Sequence, residues 1–79
     1  MDDAASRINA RVLQHLARLR KEQGLSLEEV ARRAGIDRSY LGLLERGMRR
    51  PTLEVAIRVA LALGKRLSRV LKKAEDLSP

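Results

Sequence analysis

Residues 37–50 read DRSYLGLLERGMRR. This stretch holds four arginines, two acids, one serine and Tyr40, the chain's single aromatic residue. Arginine is a poor proton carrier. Its planar fork instead pairs with phosphate oxygens and with the O6/N7 edge of guanine. The chemistry offered here is recognition, and the rest of the chain supports no other kind. The chain has 0 Cys, which removes disulfides and thiolate metal sites. It has 1 His, so no imidazole cluster can hold a metal, and a Ser-His-Asp arrangement would rest on His15 alone. No carboxylate pair converges. These counts leave little from which to build a catalytic, metal or cofactor site, and the expectation is a protein that is not an enzyme.

The charge balance names a class of partner. Lys+Arg is 17 against 10 for Asp+Glu, a formal net charge of +7, and 13 of the 17 cations are arginine. Such a basic chain, with pI near 11.1, points first to nucleic acid and second to an acidic membrane surface. Aromatics at 1% argue against platforms that stack unpaired bases. RNA and single strands read by base stacking are therefore not the expected partners. No apolar run is long enough to span a membrane. The start, Met1, Asp2 and Asp3, lacks the basic and apolar regions of a signal peptide, so a cytoplasmic location is expected. At 79 residues the chain is expected to form one domain, 1–79, with its core over about 4–75. So short a chain must idealise its packing or oligomerise.

The segments that position these arginines all read as helix, because they are rich in Ala, Leu, Arg and Glu and none alternates with β-branched enrichment. Helix 1 is expected over 4–23, with Ile8, Val12, Leu16 and Leu19 inward and Leu13 at the border. Helix 2 is expected over 27–34, opened by a capping box of Ser26 and Glu29. Helix 3 covers 38–46 with Asp37 as N-cap, and helix 4 covers 53–63 with Thr52 as N-cap. In helix 4 the buried face is expected to be Leu53, Ala56, Ile57 and Ala60. A fifth helix over 67–75 starts at the weak caps Lys65 and Arg66. The ends, 1–3 and 76–79, are expected to fray. Only Gly35 and Ile36, with the cap Asp37, separate helices 2 and 3, so the two must cross steeply. Ala31 provides the small contact residue, and Leu41 and Leu44 share the inner face of helix 3. Arg38, Ser39, Tyr40, Gly42 and Leu43 are left outside. This is the pattern of a helix-turn-helix whose second helix enters the major groove.

Residues 18–64 resemble the lambda-repressor-like, XRE-type helix-turn-helix family. The elements RxxxGLS, EEVARRAGI, YLxLLERGxRRPTL and a closing ALG occur in the family's order. DRSYLGLLERGMRRPTL looks most like the controller proteins of restriction–modification systems. The resemblance implies an all-α, compact five-helix domain that binds a palindromic operator as a homodimer and regulates transcription. It implies base contacts from Arg38, Ser39, Tyr40 and Leu43. It implies phosphate contacts from Arg46, Arg49 and Arg50 and from the start of helix 2 at Ser26 and Leu27. Arg20 and Glu45 match a partly buried ion pair of relatives. Leu27 and Leu43 replace residues that are often polar in the family.

Several residues carry two readings. Arg38 either pairs with guanine or is solvated beside Asp37. Tyr40 either packs on the DNA backbone or is a half-buried surface residue. Leu43 either meets a thymine methyl or is an ordinary exposed leucine. Arg32 and Arg33 add a long-range field. Leu67, Val70, Leu71 and Ala74 are expected to form a two-fold interface, against the alternative of a simple docking helix. The competing function is a protein-interaction module, such as an antitoxin or adaptor. Its mark would be partner binding that survives changes in the 38–50 segment.

Overall fold

Four helices begin at a side chain that accepts a free backbone N–H. A computed structural model describes residues 3–77, which form α1 (Ala4–Glu22), α2 (Leu27–Ala34), α3 (Arg38–Glu45), α4 (Leu53–Ala62) and α5 (Leu67–Asp76), with no strand among the described residues. Ser26 accepts from the Glu29 amide at 3.0 Å, Thr52 from Val55 at 3.1 Å, and Asp37 from both Ser39 and Tyr40. These are the expected caps. Asp3 is an unexpected fourth, accepting from the Ser6 amide at 2.8 Å, so it caps α1 instead of fraying. Residues 1, 2, 78 and 79 lie outside the described residues. The α5 start has no side-chain cap, as the weak signal at Arg66 implied. The capping box is only half made. Glu29 does not reach back to the Ser26 amide, because its carboxylate is taken by Arg32 at 2.6 Å and Arg33 at 2.7 Å.

Glycine ends the two helices that matter most for function. Gly35 and Gly47 adopt φ of +71° and +73°, a region closed to most L-residues. At Gly47 the chain doubles back, with the Met48 amide donating to Leu43 O at 2.9 Å and the Gly47 amide to Leu44 O at 3.0 Å. Arg58 on α4 supports the other end, placing Nη1 3.4 Å from the Ala34 carbonyl at the close of α2.

The core joins all five helices around Val30, Leu41, Leu44, Val59, Ala60, Leu63 and Val70. Burying leucines such as Leu41 and Leu44 is worth roughly 1.5–3 kcal/mol each, which fixes the inner face of α3 against α1 and α2. The packing differs from expectation in three places. Leu13 and Ala17 are buried, because α1 carries a broad apolar face with α3 on one flank and α5 on the other. On α4 the inward residues are Ala56, Val59, Ala60 and Leu63, whereas Leu53 is 70% exposed and Ile57 and Leu61 also face out. The α4 sequence is apolar on more than one side, so its periodicity could not choose between faces. Finally, Val70 and Ala74 are 1% and 2% exposed. They belong to the chain's own core and cannot be offered to a second copy.

Gly42 is buried, not outward-facing. A Cβ there would meet Leu27 Cδ1 at 3.8 Å and Arg46 Nη1 at 3.9 Å, which are ordinary contacts. Gly42→Ala should therefore stabilise the protein by about 1 kcal/mol through helix propensity, raising Tm by roughly 4–8 °C. Gly35→Ala should cost about 1–2 kcal/mol, from its left-handed backbone. Thermal melts followed by circular dichroism check both, and a lower Tm for Gly42→Ala would contradict the packing described.

Candidate nucleic-acid interface

The position of α3 depends on a contact that spans the sequence. Arg20 on α1 donates through Nε to Glu45 Oε2 at 2.7 Å, through Nη2 to Glu45 Oε1 at 2.9 Å, and through Nη1 to the Leu25 carbonyl at 2.8 Å. Three of its donors thus tie the last turn of α3 to α1 and to the α1–α2 connection. Both side chains are only about one-seventh exposed, at 13% and 14%. The hydrogen bond to Glu45 raises the Arg20 pKa, outweighing the opposing cost of burial. The ion pair implied by the family resemblance is present, and its role is to orient α3.

That orientation divides α3 lengthwise. Leu41, Gly42 and Leu44 face inward, Arg38 and Ser39 are exposed, and Tyr40 and Leu43 are half-buried at the margin. Asp37 uses its carboxylate on the Ser39 and Tyr40 amides at 2.9 and 3.2 Å. Arg38 forms no ion pair among the described residues, with Asp37 or otherwise. The loop behind α3 carries Arg46, Arg49 and Arg50, all exposed. Arg46 lies back along α3 over Gly42. Arg50 reaches the other way, with Nη1 3.5 Å from Ser6 Oγ on α1. Asp3 lies in the same neighbourhood. Its carboxyl is held below the ordinary range, first by the Ser6 amide and hydroxyl and then by the positive field of Arg50 and Arg7.

The start of α2 departs from the simple phosphate dock. The Ser26 hydroxyl is committed to the Glu29 amide. The Leu27 side chain is half-buried beside Gly42, so only its backbone could serve a phosphate. Glu28 and Glu29 add negative charge in this turn, but Arg32 and Arg33 hold Glu29 between them and offset it. Glu29 in turn is held below the usual glutamate range by hydrogen bonds from Arg32 and then Arg33. Arg32 and Arg33 are therefore locally engaged, not free sources of long-range field.

Two structural contacts have no short sequence signal. Gln23 Nε2 donates to the Leu63 carbonyl at 2.9 Å, tying the end of α1 to the end of α4, 40 residues away. Arg58 closes α2 from 24 residues away. His15 is half-buried between α1 and α5, and its Nδ1 is buried with no hydrogen-bond partner. Burial lowers its pKa, helped by Lys73, Arg18 and Lys65 and opposed by Glu22. No group of His, Asp or Glu among the described residues could hold a metal ion. None of the described helices is long and apolar enough to cross a membrane.

Comparison with known proteins agrees with this geometry. The helix-turn-helix family matches residues 16–70, more than half of the chain and all of α2–α4. The chain belongs to the XRE-type helix-turn-helix family. Its fold matches the crystal structure of the restriction–modification controller protein C.AhdI from Aeromonas hydrophila, with TM-score 0.72 and 38% identity over 77% of this chain and 92% of that one. An HTH-type transcriptional regulator of Sinorhizobium fredii, y4dJ, is 50% identical over 50 residues, covering 63% of this chain and 65% of the relative. One from Methanothermobacter thermautotrophicus is 48% identical over 46 residues, 58% of this chain and 67% of the relative. The family and the controller likeness expected from the sequence are thus both found. The Sinorhizobium and Methanothermobacter relatives are both named as HTH-type transcriptional regulators.

The Arg20–Glu45 clasp has a measurable consequence. Arg20→Ala and Glu45→Ala should each cost about 2–3 kcal/mol, a little below the loss for one partner of a fully buried pair. The double variant should cost at least ~1 kcal/mol less than the sum, since the two residues act as one unit. Urea melts of all four proteins test this, and strictly additive losses would show that the clasp does not hold α3.

Proposed function

We propose that this chain is a sequence-specific transcriptional regulator that binds a palindromic operator in double-stranded DNA as a homodimer. The observation that carries the reading is the outer face of α3. Arg38 and Ser39 stand free on a rigidly clasped helix, with Arg46, Arg49 and Arg50 exposed behind it. In this reading Arg38 pairs with a guanine, Ser39 and Tyr40 make further contacts at the start of α3, and Leu43 meets a thymine methyl. The loop arginines grip phosphates, joined by the backbone at Ser26 and Leu27. Position is thus set by charge, and sequence by a few side chains.

The dimer would bury what the fold leaves uncovered. Leu53, Ile57 and Leu61 recur every four residues on the outside of α4. Beside them a groove of about 430 Å³ is lined by Ile8, Leu53, Ala56, Leu67 and Leu71 from α1, α4 and α5. Leu67 and Leu71 thus stay at the proposed interface, while Val70 and Ala74 give way to α4 residues. Two copies joined there would carry two α3 helices to successive major grooves about 34 Å apart. The whole chain acts as one binding domain in the cytoplasm. In this reading it has no catalytic role and needs no cofactor, and its occupancy of the operator is set by protein concentration, dimerisation or competition at operators. C.AhdI, as a restriction–modification controller, makes control of such a system the nearest regulatory setting to test.

Selection from randomised duplexes at roughly 150 mM salt tests the reading, because non-specific binding is weak there. The expected result is a palindromic consensus, with Arg38→Ala losing about 1–3 kcal/mol and relaxing one base pair in each half-site. Uniform, salt-sensitive binding without a consensus would refute operator reading. A consensus without two-fold symmetry would refute the dimer alone.

A further inference from the structure

A second set of cations gathers away from α3. Leu13, Ala17 and Arg20 turn one flank of α1 toward α3, where Leu13 and Leu16 meet Leu41, Leu44 and Glu45. The other flank faces α5. There Arg18 from α1 and Lys65, Arg69 and Lys73 from the α5 region surround His15 in a cleft of about 430 Å³, continued by Arg11. Glu22 is the one carboxylate among the described residues lining that cleft. Elsewhere the chain neutralises many of its cations. Arg20, Arg32, Arg33, Arg58 and Lys72 each hold a carboxylate. Arg11, Arg18, Lys65, Arg69 and Lys73 hold none among the described residues, a condition they share with Arg38, Arg46 and Arg49 on the α3 side.

We infer that the α1–α5 face is a second polyanion-binding surface, which takes the phosphate backbone of a duplex segment other than the one α3 reads. The inference rests on the DNA-binding reading above and extends it. The cations are exposed and spread over two helices instead of converging on a point. Arg69 and Lys73 are one turn apart, about 6 Å along α5, and Arg11 and Arg18 are two turns apart on α1. A strip of this form suits a line of charge, which duplex DNA supplies at one per ~1.7 Å of axis. A protein partner would need a buried apolar or aromatic anchor at the centre of the contact. The strip has no aromatic residue, and its one large exposed apolar side chain among the described residues is Leu77, which sits at the Arg11 end and not at the centre. The unpartnered Nδ1 of His15 lies between these cations, and Lys73, Arg18 and Lys65, which add to burial in lowering its pKa, would attract phosphate. Because α3 and α5 pack on opposite flanks of α1, one straight duplex cannot lie against both. Filling both faces would bridge two duplex segments.

A two-duplex capture assay tests this. A tethered duplex of about 30 base pairs is saturated with the full chain at about 50 mM salt, washed, and offered a fluorescent duplex of the same length. The wild-type chain is expected to capture the second duplex. Arg69→Glu/Lys73→Glu, and separately Arg18→Glu, should load the tethered duplex and melt cooperatively, yet capture at least about tenfold less of the second. Loading without capture by the wild type would overturn the inference and leave the α3 reading intact. Equal capture by the reversed variants would overturn it too, since the second duplex would then be held by another surface. Preferential retention of poly-glutamate over duplex at equal charge would overturn it in favour of an acidic protein partner. Failure to load the tethered duplex would strike the DNA-binding reading itself, and this inference with it.

Discussion

One guanidinium sets the geometry of this protein. Arg20 donates to both oxygens of Glu45 and to the Leu25 carbonyl, so α1, the α1–α2 connection and the end of α3 share one anchor. An eight-residue helix has little stability of its own. Its direction must come from tertiary contacts, and α3 has two kinds. Leu41 and Leu44 supply non-directional burial, which holds the helix down but permits small rotations. The bidentate pair supplies direction, because a planar fork and a carboxylate meet well in only a narrow range of angles. The outer face that carries Arg38 and Ser39 takes its direction from that pair.

The division of charge follows the same logic. A chain with net charge +7 repels itself, and it limits the cost by pairing several of its cations with carboxylates. Glu29 holds Arg32 and Arg33, Glu54 holds Arg58, and Asp76 holds Lys72. These pairs are exposed and worth little as stability. Their larger effect is on where charge stays unpaired, which includes α3 with its following loop and the α1–α5 face.

Much of this was legible in the residues. Caps, glycine stops and the spacing of Leu41 and Leu44 are local signals, and they gave all five helices nearly to the residue. The helix-turn-helix followed, because the short connection at Gly35 and Ile36 allows few crossings. What sequence reasoning missed was non-local or degenerate. Gln23 and Arg58 cap helices 40 and 24 residues away, and no spacing rule reaches that far. On α4, Leu53, Ile57, Val59 and Leu63 are all apolar, so periodicity could not tell the core face from the exposed one. The same ambiguity assigned Val70 and Ala74 to an interface although the core needs them. Gly42 looked outward by count, but the steep crossing brings Leu27 over it.

The central claim is that the clasped outer face of α3 is where DNA binds. The most direct measurement is the amide shift map of ¹⁵N-labelled protein on adding a duplex one-to-one at roughly 150 mM salt, where weak secondary contacts are suppressed. The account predicts that the largest changes fall in residues 37–50 and at the start of α2, with the Arg20 guanidinium signal unmoved. Changes centred on α4, with α3 silent, would contradict it.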